Sequence, residues 1–216
     1  NRQHIWQSMS AFENGKAFLS LHKFDIAIPC FNSIIERFPD CYEAYANLGY
    51  AKLLKYLNSL ESSDLEKLNS GYIITGLYYT ESEYLRNLLR GIDRNLWWEA
   101  VGDLRYALRL NENLPLAAHH LGLAYLFSPM KKADIDQSVR YFSMSLRLLK
   151  DNNELDDYKK ACIYNNAGAS YIAADMPDSI IESVSSEANR LARRLGVFTN
   201  KKSQYDYIEL KNAINY

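Results

Sequence analysis

What this sequence most plainly lacks is charge of one sign. Its 25 lysines and arginines nearly balance 26 aspartates and glutamates over 216 residues, leaving a net charge of −1. There is no global field to recruit nucleic acid or an anionic membrane, so neither is expected as a partner. No apolar run approaches the roughly 20 residues of a membrane-spanning helix, and membrane insertion is not expected. Cysteine is scarce too: Cys30, Cys41 and Cys162 cannot all pair. Eight helical steps from Cys30 to Phe38 already span about 12 Å, against a limit of about 7 Å between disulfide-bonded Cα atoms. The thiols are read as buried and free, which favours a reducing, cytoplasmic compartment. The chain opens with Asn1 and carries no basic–apolar–cleavage pattern. It therefore reads as a piece of a longer product, from which a signal peptide and flanking domains could have been trimmed.

Catalytic signatures are missing as well. There is no glycine-rich phosphate loop, no serine-centred nucleophile elbow and no His-Glu-x-x-His. The one histidine pair, His119-His120, has its side chains about 100° apart on a helix, so both cannot ligate one metal from the same face. No metal or cofactor is expected, and the segment is read as non-catalytic. The cations Arg190, Arg193, Arg194, Lys201 and Lys202 are read as complementing a helix C-terminus rather than as an RNA site.

What is present is helical periodicity and little alternation. Four glycines stand three residues ahead of a large side chain: Gly15 before Phe18, Gly49 before Lys52, Gly122 before Tyr125 and Gly168 before Tyr171. After Phe18 come Ala27, Phe31, Ile34 and Pro39, and Gly49 lies 34 residues after Gly15. This run resembles the tetratricopeptide repeat, whose two antiparallel helices pack closely enough to require small residues at the crossing.

The resemblance implies an all-α, right-handed solenoid of about four helix pairs, in one domain spanning 1–216. The repeats fall at approximately 7–40, 41–112, 113–150 and 160–196, with a tail at 197–216 whose Tyr205–Ile214 stretch would cap the last pair. Pro29 should cost the second helix a backbone bond or kink it. In the second repeat the expected alanine is displaced by 39 residues to Ala100, which places an insertion at approximately 55–93. That segment is tyrosine-rich and apolar, so it is expected to fold back on the module and partly narrow its groove.

Members of this family use the inner face of the superhelix, built from the first helix of each pair. Carried onto this chain, that face comprises Phe12, Lys16, Asn47, Tyr50, His119, His120, Leu123, Asn165 and Asn166. Asn47 and Asn166 match positions that hold a bound peptide's backbone in such grooves. The resemblance thus implies a non-catalytic scaffold that binds a peptide or protein segment in its concave groove. The alternative is an accessory repeat region of a larger enzyme such as a bacterial peptidase, because Leu96-Trp97-Trp98-x-Ala100-Val101 after a long insertion looks like repeat regions in those proteins. Seventeen tyrosines, more than twice a typical share, fit a contact surface.

Overall fold

Small residues at fixed spacing let helices cross at short range, and that sets the architecture. The computed structural model describes residues 2–58, 94–129, 134–150 and 155–196. Every element among the described residues is an α-helix: α1 (Arg2–Ser20), α2 (Phe24–Arg37), α3 (Tyr42–Asn58), α4 (Arg94–Leu110), α5 (Pro115–Leu126), α6 (Ile135–Leu149), α7 (Asp157–Ala173) and α8 (Asp178–Arg194). They pack in sequence as the pairs α1–α2, α3–α4, α5–α6 and α7–α8, and each pair leans on the next. The described residues form an all-α helical solenoid of neighbouring helix pairs. The 59–93 insertion, with its expected packing over the groove, and the 197–216 tail lie outside the described residues.

The glycines sit where the two helices of a pair touch. A Cβ at Gly15 would come within 2.8 Å of the Phe31 ring, one at Gly49 within 2.7 Å of Leu104, and one at Gly122 within 2.9 Å of Phe142. Ala27, Ala100 and Ala107 are fully buried on the opposing helices. In the third pair serine takes the small position and adds hydrogen bonds. Ser138 donates to the Gly122 carbonyl at 2.9 Å and Ser145 to the Pro115 carbonyl at 2.7 Å. The turns closing the first and last pairs share one geometry. His22 and Asp175 adopt left-handed φ of 56° and 52°. The next amide bonds back five residues in each case, Lys23 to Phe18 and Met176 to Tyr171.

Helix α3 runs to Asn58, where Tyr56 on its inner side is fully buried and donates to the Phe127 carbonyl at 3.1 Å. Pro29 lies on the exposed side of α2, which continues through it without the bond that a proline nitrogen cannot donate. One expectation shifts: the three cysteines are free but only half-buried.

The first helices α1, α3, α5 and α7 also pack on one another from pair to pair, as α1 with α3, α3 with α5 and α5 with α7. The second helices do not pack together to that extent. First helices therefore converge on one face, and second helices spread on the other.

Candidate partner-binding face

The centre of the first-helix face is a polar and aromatic network that crosses three helices. Tyr50 on α3 stacks on His120 of α5, with ring centroids 3.8 Å apart and planes within 3° of parallel. His120 sits beside His119, at 5.4 Å between rings. The Asn166 amide on α7 lies 3.0 Å from His119 Nε2. An amide nitrogen only donates, so Nε2 accepts and the imidazole proton belongs on Nδ1. That Nδ1 is enclosed with no hydrogen-bond partner among the described residues, as is the Nδ1 of His120. Asn165 lies next to the network, its amide 3.5 Å from the Asn166 oxygen.

Burial governs the charge state of this cluster. It pushes His119 down to about 3, so the ring is neutral at ordinary pH. His120 is held well below the usual histidine range by burial first and by the neighbouring His119 second. His119 leans on Phe142 of α6 at 5.6 Å, which ties the polar network to the core.

Of the nine residues assigned to this face, Tyr50, His119, His120, Asn165 and Asn166 are brought together. His119, Asn165 and Asn166 are buried at 4%, 8% and 4% exposure, so they form the underlay of the face, while Tyr50 and His120 remain partly open. Leu123 is half-buried against the main core. Asn47 is half-exposed and donates to the Glu43 carbonyl one turn back at 2.8 Å. Phe12 and Lys16 stand apart on α1. There the Lys16 ammonium lies 5.1 Å from the Phe12 ring, and Phe12 meets Phe31 edge-on at 6.0 Å. The stack between Tyr50 and His120 was not foreseeable as a pair, because 70 residues separate its members and no local pattern links them.

Lys52, the departure from the aromatic pattern, is also explained here. It is buried to 12% exposure and bonded to Asp103 at 2.8 Å and Glu99 at 3.0 Å on the partner helix α4. An ion pair within the repeat stands where Phe18, Tyr125 and Tyr171 place a ring in the other pairs. Among the described residues no group of histidines, cysteines and carboxylates is arranged to hold a metal ion. No helix among them is long and apolar enough to cross a membrane.

A solved structure of MamA protein is similar to this chain, with a TM-score of 0.36, 15% identity, and coverage of 90% of this chain and 96% of that one. No family model matches the sequence, and no curated protein matches it.

Proposed function

We propose that this chain is a non-catalytic interaction module that holds an extended protein segment along its first-helix face, the concave side of the solenoid. The observation that carries this reading is the network Tyr50–His120–His119–Asn166, which joins α3, α5 and α7 into one surface. Such a surface offers what an extended peptide needs. The Tyr50 and His120 rings are held by their mutual stack and offer contact area at low entropic cost. The half-exposed Asn47 amide can meet a peptide backbone at one end, while the buried Asn165–Asn166 amides hold His119 from beneath at the other. The two enclosed imidazole nitrogens have no partner among the described residues, which fits a site completed by a group beyond them, since buried polar atoms are otherwise satisfied. His119 and His120, kept neutral, contribute hydrogen-bonding and stacking rather than charge, which suits a backbone or a neutral side chain.

The test is site-specific photocrosslinking. A photoreactive side chain at Asn47 should join one defined protein when the full chain is expressed in its own cells, and Tyr50→Ala together with His120→Ala should abolish that adduct while the protein stays folded. An adduct that persists undiminished in the double variant removes this face from the proposed function.

A further inference from the structure

We infer that the gap between α4 and α6 on the second-helix face is a separate docking site, for a partner protein segment that carries a carboxylate beside an apolar side chain. Helices α4 and α6 each pack on α5, and a cleft of about 470 Å³ is lined by both. Its walls are Gly102, Arg105, Leu108 and Arg109 of α4 with Tyr141 and Met144 of α6. That volume falls in the range of small-ligand sites and suits one or two inserted side chains.

Three features give the occupant its chemistry. Arg105 and Arg109 lie one turn apart, both exposed, and neither belongs to any ion pair among the described residues. Both guanidinium groups stand beside aromatic rings. Arg105 lies near Tyr125, where its charge opposes the burial that raises that hydroxyl, and Arg109 lies over the Tyr106 ring at 4.8 Å. Tyr125 is in turn stacked on Tyr141, with centroids 5.5 Å apart and planes within 5°. Arginines held this way lose little freedom on meeting a carboxylate, whose two oxygens match the guanidinium fork.

The apolar half of the occupant follows from the walls and the floor. Leu108 and Met144 offer an aliphatic wall, and Met adapts its shape to irregular side chains. At Gly102 the α4 surface is bare, since a Cβ built there meets no atom within 4 Å. Glycine in a helix interior is unfavourable by about 1 kcal/mol relative to alanine, and no packing in the described fold requires it here. An apolar side chain of the partner, set beside its carboxylate, fills that space.

The probe is a short fluorescein-labelled peptide with two glutamates flanking a leucine in a glycine–serine background, titrated against the full chain by anisotropy. We expect binding that weakens roughly tenfold or more in Arg105→Gln/Arg109→Gln, the scale set by losing charge-assisted hydrogen bonds. Gly102→Leu, a substitution into open space, should weaken it by filling the cleft while circular dichroism remains that of the wild type. Tyr50→Ala on the opposite face should leave it unchanged, which separates this site from the proposed groove. The inference is overturned by any of four results: no binding by the wild type, equal binding of the glutamine-for-glutamate peptide, indifference to both cleft variants, or a single-stranded oligonucleotide that displaces the peptide and depends on the same arginines.

Discussion

His119 couples the chemistry of single atoms to the stability of the chain. Its ring is buried at 4% exposure against Phe142, takes the Asn166 amide at Nε2 and meets no charged group in that network. In the unfolded chain it titrates near 6.5, whereas in the folded chain burial holds it to about 3. Between those values the unfolded state binds the extra proton, so stability present above pH 6.5 is lost as pH falls through the window. The slope is at most about 1.4 kcal/mol per pH unit for one such group. His120, also held below its usual range, acts in the same direction. Asp103 acts oppositely, because burial raises its carboxyl above the usual value, but only at the acid end of the window. Urea unfolding at pH 7 and pH 5 should therefore show a loss of at least about 2 kcal/mol in the wild type. His119→Gln, which retains a partner for Asn166, should lose clearly less over the same interval. Equal losses in both proteins would show that another group carries the acid sensitivity.

At the scale of elements, what could be read in advance depended on whether the information was local. The helix pairs were legible because close crossing demands glycine, alanine or serine at fixed spacing, and Gly15, Gly49 and Gly122 stand at those crossings facing Phe31, Leu104 and Phe142. Contacts made by long side chains across pairs were not legible. Nothing in α3 announces that Lys52 reaches Asp103, 51 residues on, or in α5 that His120 lies under Tyr50. Nor does the sequence mark Arg105 and Arg109, which border a gap that only the packing of α4 and α6 creates. The Lys52 pair tests how an ion pair serves where the repeat elsewhere uses a ring. Lys52→Ala strands Asp103 at 19% side-chain exposure and should cost about 2 kcal/mol, the scale of a hydrogen bond between charged groups in a partly buried setting. Lys52→Phe combined with Asp103→Leu restores an apolar contact and should return stability to within about 1 kcal/mol of the wild type. Chemical denaturation of the three proteins decides it. A cost for Lys52→Ala below about 0.5 kcal/mol would class the pair with exposed bridges that contribute little.

At the scale of the whole molecule, the buried side chains among the described residues form two clusters rather than one. Leu19, Phe24, Phe31, Ile34 and Leu48 join α1, α2 and the start of α3. Tyr56, Trp97, Leu104, Phe142 and Tyr171 belong to a larger cluster that runs from the end of α3 to α8. The division falls inside α3, between Ala51 and Leu53. Ties across pairs strengthen the larger cluster, as where the Trp97 indole donates to the Ala124 carbonyl at 2.8 Å and Ser143 meets the Tyr171 hydroxyl at 2.7 Å. In a solenoid, stability is a sum of pair and neighbour terms, so damage need not spread to the far end. Phe31→Ala and Phe142→Ala each remove a fully buried ring and should each cost about 3 to 5 kcal/mol. Their reach should differ. Hydrogen exchange read by mass spectrometry should show Phe31→Ala speeding exchange in α1, α2 and the first turns of α3, with α5 to α8 still protected. Phe142→Ala should speed exchange from the end of α3 through α8, including the part of the face that carries His120 and Asn166. If Phe31→Ala raises exchange uniformly along all eight helices, the two clusters unfold as one unit and the face is not insulated from the first pair.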